Sequence, residues 1–437
     1  MAAVGPEMMV LLFVIGWAIS SGTTLILFSA VAESRSQPDL VMSISSRLLS
    51  GSSPLHGLVS PQALGTGPDP HALLPSPAPG ALMERKRSTS FYDYKDRKSR
   101  EGARAARSTP LLGPSYGDLL AMVLPPKFMS LLDLVLLVHQ QLALTVYFLF
   151  ISEFLAKLPY LSDVPPDLTI LVLSVPATKL AQLESIGKLA RVASISPAVL
   201  LFMMFGVCYR WLHPDAHMAR PDFSLEPDLR TTPAVMCIAV FSYMWHTNCV
   251  TVARELRDPS QFRCCLVVFT STTVLLVAYT SLAYFGYETF GQKLRSVPTI
   301  MMLYSPSDPL FMAVRFFLSI SLFVAIPLNV YPVRESVLSL IKHNCSKQAH
   351  DRSVEYQGLL SVVLVMVPAF CAICFPYVTQ IITVIGGTLV SFLMIVFPIF
   401  IGELVLPMAW VRVFQLLTLA FVPQLIAASL GWYGKPI

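Results

Sequence analysis

The sequence predicts an all-α, polytopic membrane protein, and three observations carry that prediction. Only 13% of the 437 residues are charged while 54% are hydrophobic, which leaves too few charges to cover a water-soluble surface. Apolar stretches of about 20 residues recur along the chain, and a helix of that length crosses a bilayer. Within these stretches the apolar and polar residues do not alternate as they do in membrane β-strands. The same composition excludes a disordered chain and a disulfide-rich scaffold.

Ten apolar stretches are predicted to be transmembrane helices. The first covers residues 8–32, and the other nine form a predicted transporter domain at 128–430. Their bounds are 128–156, 166–183, 190–212, 232–252, 264–286, 309–331, 358–377, 379–402 and 405–430. The third stretch is the weakest, because Pro176 interrupts it. Ten helices and one long loop use the whole chain and leave no room for a soluble catalytic domain, so an enzyme is not expected.

The long loop, residues 33–127, is rich in Pro, Ser and Gly. Such a composition buries too little apolar surface to fold, and we predict a disordered cytosolic linker. Within the linker, residues 84–107 carry nine Lys or Arg against four acids. This segment is either a solvated loop, which the sequence favours, or a contact with anionic lipid headgroups. The net charge of +5 comes from the cytosolic loops, so a nucleic-acid partner is not expected.

The distribution of basic residues predicts an orientation with both termini outside. If the ten helices alternate, the loops on one side hold 22 of the 31 Lys and Arg, and the other side holds seven. Excess positive charge marks the cytosolic side. The first 34 residues contain no Lys or Arg, so the first helix lacks the charged start of a secretory signal. The first helix would then enter the membrane with its N-terminus outside and without a preceding helix. Because that is unusual, we expect a further helix upstream.

Five stretches match a known family in order and spacing. They are "YGDLLAMVL" with "FISEFL" (116–124 and 150–155), "FSYMWHTNCVTVARELRDPS" (241–260), "AYFGYETFG" (283–291), "AVRFFLSISLFVAIPLNVYPVRESV" (313–337) and "VTQIITVIGGTLVSFLMIVFPIFI" (378–401). On these residues the chain resembles the sodium-coupled neutral amino acid transporters of the amino acid/auxin permease group. The resemblance implies a LeuT-like inverted repeat of eleven helices, of which the ten predicted here would be the second to the eleventh.

The resemblance also implies a substrate site at a broken helix near the bilayer midplane. A cluster of polar groups interrupts the otherwise apolar stretch 232–252, and it comprises Ser242, Tyr243, His246, Thr247 and Asn248. His246 stands at the family's histidine position. Backbone amides freed at the start of a half-helix suit a carboxylate, so we expect these residues to bind substrate. The alternative is that they form hydrogen bonds between helices.

A second polar cluster, in the stretch 128–156, provides candidate residues for proton coupling. His139 and Gln140 lie near the middle of the stretch 128–156, followed by Gln141. Histidine titrates near neutral pH, so His139 and His246 are candidates for carrying a proton. The alternative for His139 and Gln140 is a buried network that fixes helix packing.

Sodium coupling is the rival, and the resemblance places its ligands on the stretch 309–331. Ser319 and Ser321 are the candidate ion ligands there, but the four residues before Pro327 carry no side-chain oxygen. The driving ion therefore stays open between Na⁺ and H⁺. Arg315 occupies a family arginine position, and we expect it to extend toward the membrane surface rather than to contact substrate. No cofactor or metal site is predicted.

The sequence thus predicts secondary active transport of amino acids, with neutral ones favoured, by alternating access. The membrane is either the plasma membrane or one of the lysosome or vacuole type. Two alternatives stay open. One is a family member that does not transport and acts as a sensor or interaction protein through the linker. The other is a transporter whose sequence is incomplete at its N-terminus.

Overall fold

Helices occupy all ten predicted stretches, which confirms the predicted class of polytopic helical membrane protein. The computed structural model describes residues 5–36, 119–120, 126–182, 194–214, 229–256, 260–344, 356–405 and 409–431. Most of the predicted linker, including its basic segment 84–107, lies outside the described residues. Residues 33–36 and 126–127, predicted as the two ends of the linker, instead belong to helices, and residues 119–120 are helical and buried. The LeuT-like inverted repeat stays a prediction.

The α-helices are numbered in chain order. The first seven are α1 (Pro6–Ser36), α2 (Pro126–Ala156), α3 (Pro166–Ala181), α4 (Ser196–Leu212), α5 (Thr232–Ser242), α6 (His246–Glu255) and α7 (Gln261–Phe290). They are followed by α8 (Pro309–Asn344), α9 (Gln357–Cys374), α10 (Val378–Gly387), α11 (Phe397–Val405), α12 (Ala409–Leu419) and α13 (Val422–Ser429). Short 3₁₀ turns lie at Leu229–Thr231, Gln292–Ser296 and Ile300–Met302. A helical turn, Leu389–Ser391, and a π-helical segment, Phe392–Val396, connect α10 to α11.

Seven helical segments in the described part of the chain are long and apolar enough to cross a bilayer. They are Glu7–Val31, Phe128–Ala156, Phe262–Phe290, Pro309–Leu338, Gln357–Cys374, Val378–Gly402 and Val411–Ser429. The shorter apolar helices α4 and α5 occupy two more of the predicted stretches. The 16-residue α3, with Pro176 in its interior, occupies the stretch that the sequence marked as weakest.

The helices that position the candidate site pack around α1. This helix contacts α5, α6, α7 and α11, and α10 packs against α5 from another side. The close approach of α10 depends on Gly386, because a side chain there would overlap the backbone carbonyl of Cys237 in α5. Gly387 likewise lies against the backbone of α13 at Leu425. These contacts place α5, the helix that ends at the candidate site, in the apolar core of the bundle.

Candidate functional site

The predicted helix break is present between α5 and α6. Helix α5 ends at Ser242 and α6 begins at His246, and the residue before α6, Trp245, has φ −139° and ψ 6°. The Trp245 side chain does not cap the start of α6. Because a helix start leaves its first amides without intrahelical partners, the break exposes donors, and the end of α5 exposes acceptors. One acceptor, the carbonyl oxygen of Tyr243, receives a 3.1 Å hydrogen bond from the Ser20 hydroxyl of α1.

A run of hydroxyl side chains on α1 faces this break. Ser20, Ser21, Thr23 and Thr24 are all buried. The Ser21 hydroxyl also lies 2.9 Å from that of Thr272 on α7. Sequence reasoning missed this run, although four hydroxyls within five positions of an apolar helix were a visible signal, because polar groups at membrane depth need a partner or a cavity.

His246 is the centre of these contacts. Its side chain is fully buried, and its Nε2 lies 2.8 Å from the Thr23 hydroxyl and 3.1 Å from the Thr24 hydroxyl. The Thr23 hydroxyl has a further acceptor 2.7 Å away in the Ile19 carbonyl, so the geometry is satisfied when Nε2 carries the proton and donates to Thr23. The other ring nitrogen, Nδ1, has no hydrogen-bond partner among the described residues. A neutral ring in this tautomer therefore keeps one free lone pair.

A cavity of about 670 Å³ reaches the break, because Ser242, the last residue of α5, lines it. Its other described lining residues are mainly apolar or aromatic: Met9, Phe13, Ile238, Tyr279, Leu282, Ala283, Gly286, Tyr287, Leu294, Val297, Pro298, Ile300, Pro376, Tyr377, Val378 and Ile382. Ser296, Thr299, Thr379 and Gln380 add polar groups, and Arg295 is the one charged residue among those described. The Tyr279 ring packs edge-on against Tyr243 at 5.7 Å, so the cavity wall contacts the break directly.

The remaining predicted substrate residues lie around the break. The Ser242 hydroxyl donates 2.8 Å to the Ile238 carbonyl of its own helix. Tyr243 is buried, with a hydroxyl that has no partner among the described residues. Thr247 is half-buried in the first turn of α6, and the side chain of Asn248 lies outside what the structure describes. Their role in binding substrate stays a prediction.

His139 and Gln140 are buried in α2. None of the hydrogen bonds between described residues connects them to His246. The next residue, Gln141, donates to the Leu364 carbonyl of α9 at 3.3 Å, which joins two helices. The described hydrogen bonds thus do not join the two predicted proton-coupling groups, and a coupling role for His139 and Gln140 stays a prediction.

The two candidate sodium ligands have separate partners. The Ser319 hydroxyl donates 2.8 Å to the Arg315 carbonyl of its own helix, and the Ser321 hydroxyl donates 2.7 Å to the Ser196 hydroxyl of α4. Sodium prefers several oxygens converging on one point, and these two hydroxyls do not form such a cluster. Their role as ion ligands stays a prediction.

The expectation for Arg315 was wrong in one respect. The side chain does not reach solvent at the membrane surface, because it is fully buried. Its guanidinium instead donates to the backbone carbonyls of Met301, Tyr304 and Ser305. The carbonyls of the loop before α8 thus accept the hydrogen bonds that the guanidinium would otherwise donate to water.

Comparison with known proteins finds a match over the part of the chain that contains this site. Residues 112–430 match the family described as "Transmembrane amino acid transporter protein". The chain belongs to this family. The match covers the helix break and α2 to α13, and it confirms the predicted resemblance at the level of the amino acid/auxin permease group. Sodium coupling is a narrower property that the match leaves open.

One protein that the chain is similar to is Vacuolar amino acid transporter 5 of Schizosaccharomyces pombe. It is 22% identical over 221 residues, which cover 51% of this chain and 52% of the relative. The chain thus spans about half the length of the curated relative that it matches.

Proposed function

We propose that this family member moves neutral amino acids across a membrane by alternating access, with H⁺ as the driving ion. The observation that carries the proposal is the helix break at Tyr243–Trp245, which adjoins a cavity of about 670 Å³. A broken helix at membrane depth is costly unless its backbone lines a cavity or buried partners. In transporters such breaks hold substrate and coupling ions.

The lining of the cavity supports a neutral substrate. The first amides of α6 suit the carboxylate of an amino acid, because the start of a helix is electropositive. No Asp or Glu occurs among the described lining residues, so the cavity offers no carboxylate to pair with a cationic side chain. Aromatic and apolar walls, including Phe13 and Tyr279, suit an uncharged side chain.

The surroundings of His246 support H⁺ over Na⁺. The Nδ1 atom of His246 has no hydrogen-bond partner among the described residues and is the place for a coupled proton, whereas the hydroxyls of Ser319 and Ser321 have partners elsewhere. His246 lies at the start of α6 and bonds to α1, so a change in its charge would alter the contact between these helices. A proton gradient suits a vacuole-type membrane, and the name of the Schizosaccharomyces pombe relative supports that location.

Uptake into proteoliposomes tests the proposal. The full chain is reconstituted, and labelled leucine, alanine and glutamine are offered while Na⁺ and H⁺ gradients are varied independently. We expect uptake to follow the H⁺ gradient in the absence of Na⁺, and unlabelled lysine to compete poorly. Uptake that requires a Na⁺ gradient would contradict the coupling ion. Binding without uptake would favour the alternative of a sensor that does not transport.

A substitution separates coupling from binding. His246→Gln removes the titrating group, and we expect gradient-driven uptake to fall roughly tenfold or more while exchange of bound amino acid at equal pH persists. His213→Gln is the matched control, because His213 is exposed at the end of α4. If both variants lose gradient-driven uptake equally, His246 has no special role in coupling.

A further inference from the structure

Arg315 is a buried cation with an unusual set of partners. It lies in α8, two turns after the helix begins at Pro309. Its Nη2 donates to the carbonyls of Met301 at 2.8 Å and Tyr304 at 2.7 Å. Its Nε reaches the Met301 carbonyl at 3.2 Å, and Nη1 reaches the Ser305 carbonyl at 3.3 Å. A buried charge is retained only with partners of this kind, because its desolvation is costly.

The loop held by Arg315 is the loop that closes one side of the cavity. Seven consecutive residues, 294–300, line the cavity, and we call them the wall segment. Met301, which accepts two of the hydrogen bonds from Arg315, follows the wall segment directly. The last residue of the wall segment, Ile300, fits beside Gly286 of α7, where a side chain would overlap it.

Both ends of this loop are fixed by further contacts. The loop begins at Gly291, whose φ of 55° suits glycine and turns the chain away from α7. After the wall segment, the Tyr304 ring stacks on Phe311 of α8 with centroids 3.4 Å apart, and it meets Phe290 edge-on at 4.8 Å. Arg315 and the Tyr304–Phe311 stack thus attach the same short stretch of loop to α8.

We propose that Arg315 is a positioning residue for substrate binding. Its hydrogen bonds go to Met301, Tyr304 and Ser305, none of which lines the cavity among the described residues. It acts by holding Met301, and thereby the wall segment, against the cavity. The proposal rests on the proposed function insofar as the cavity takes the amino acid. Loss of the guanidinium frees the wall segment, opens the cavity on that side and weakens substrate binding more than it slows the transport step.

The geometry requires arginine rather than any cation. The guanidinium is a planar fork whose three nitrogens reach three carbonyls at once, whereas a lysine ammonium is a single point on a longer flexible stem. Arg315→Lys keeps the charge but not this spread of donors. Arg315→Gln removes the charge and most of the donors. Both substitutions are therefore expected to loosen the wall segment, the second more than the first.

The first experiment measures exposure of the wall segment without any need for transport. Val297, a half-buried residue of the wall segment, is replaced by Cys in the full chain, and its modification by a maleimide is followed by mass spectrometry. The native Cys374, which is exposed at the end of α9, serves as the internal reference. We expect Arg315→Gln to raise the modification rate at position 297 roughly tenfold, the change expected when a buried hydrogen-bonded group is lost.

The second experiment separates binding from turnover. In proteoliposomes, Arg315→Gln should raise the half-saturating leucine concentration roughly tenfold while the maximal rate changes by less than about twofold, and Arg315→Lys should fall between it and the unmodified chain. Lys293→Gln is the matched control, because it removes a charge from the same loop at an exposed residue that does not line the cavity.

The outcomes are distinguishable. Unchanged modification at position 297 and unchanged half-saturation in folded Arg315→Gln protein would overturn the proposal. If that variant does not fold, Arg315→Lys decides, because it keeps the buried charge but not the three-nitrogen spread of donors. Faster modification at position 297 in this variant supports the positioning role, and an unchanged rate overturns it. If the modification rate rises but no variant and no unmodified chain transports, the positioning role stands and the proposed function fails.

Discussion

The Nε2 atom of His246 lies 2.8 Å from the Thr23 hydroxyl, and this contact joins the start of α6 to the middle of α1 across 223 positions of sequence. Both side chains are fully buried. The contact connects a titratable ring to the break between α5 and α6, where Ser242 borders the cavity. A proton on the ring would therefore change the charge at the point where two helices and the candidate substrate site meet.

Removing the Thr23 hydroxyl should weaken both stability and transport. Thr23→Val keeps the shape but leaves the buried Nε2 with the Thr24 hydroxyl as its remaining described partner, and the loss of one hydrogen bond costs about 0.5–1.5 kcal/mol. We expect a lower midpoint of thermal unfolding in detergent and a clear loss of pH-driven uptake. Thr145→Val is the control, because the hydrogen bond that the Thr145 hydroxyl makes among the described residues lies within its own helix, to the Gln141 carbonyl at 2.9 Å. Equal loss of uptake in both variants would count against the His246–Thr23 contact.

The packing of α10 against α5 leaves no space for a side chain at position 386. A Cβ there overlaps the Cys237 carbonyl, so Gly386→Ala forces the helices apart and is expected to destabilise the protein by about 1–3 kcal/mol. Gly358→Ala is the matched control, because nothing lies within 4 Å of a Cβ at that position of α9. Thermal unfolding of both variants checks this, and a Gly386→Ala protein as stable as Gly358→Ala would refute the close packing.

The ion pair between α4 and the start of α8 should contribute to stability. Arg210 donates from Nε and Nη2 to the two carboxylate oxygens of Asp308, both at 2.8 Å, and the Asp308 side chain is 1% exposed. Asp308→Asn removes the charge while its side-chain oxygen remains available to the Leu310 amide. A double-mutant cycle with Arg210→Gln should give a coupling energy of about 0.5–3 kcal/mol, the range for residues in one such network. Strictly additive effects would show that the pair adds nothing.

The response of amino acid uptake to Na⁺ should not depend on Ser319 and Ser321, the two candidate serines of α8. Because the Ser321 hydroxyl bonds to Ser196, Ser321→Ala is expected to cost about 1 kcal/mol of stability without changing the response of uptake to Na⁺. Ser319→Ala should behave alike, since its hydroxyl bonds to the Arg315 carbonyl. Uptake by each variant at several Na⁺ concentrations checks this. A Na⁺ dependence that appears in the unmodified chain and disappears in either variant would restore the sodium site.

The sequence predicted the fold class and the helix break for definite physical reasons. Apolar stretches of bilayer length predict helices, because in lipid the backbone N–H and C=O groups must form their hydrogen bonds within the segment itself. The resemblance to transporters with broken helices implied the break, and the polar cluster from Ser242 onward indicated its place, because polar groups at membrane depth need a cavity or a partner. The Pro/Ser/Gly-rich composition of residues 33–127 misplaced both boundaries of the linker, since helix α1 continues to Ser36 and helix α2 begins at Pro126.

The partners of these residues could not be predicted, because they come from distant parts of the chain. Nothing local to His246 indicates that Thr23 and Thr24 would face its ring. Arg315 appeared free to extend toward the surface, because the loop that folds back over α8 to receive its donors is not visible in the pattern of apolar residues. The pairing of Ser321 with Ser196 likewise depends on how α4 and α8 pack.

Protection of a cysteine at the helix break by substrate tests the central claim most directly. Ser242→Cys places a thiol where α5 ends at the cavity, and its modification is followed by mass spectrometry with increasing leucine. We predict that leucine slows modification at position 242 and leaves that of native Cys374 unchanged. Lysine should protect far less. Equal modification at position 242 with and without leucine, in a protein that binds or transports leucine, would show that the amino acid binds elsewhere.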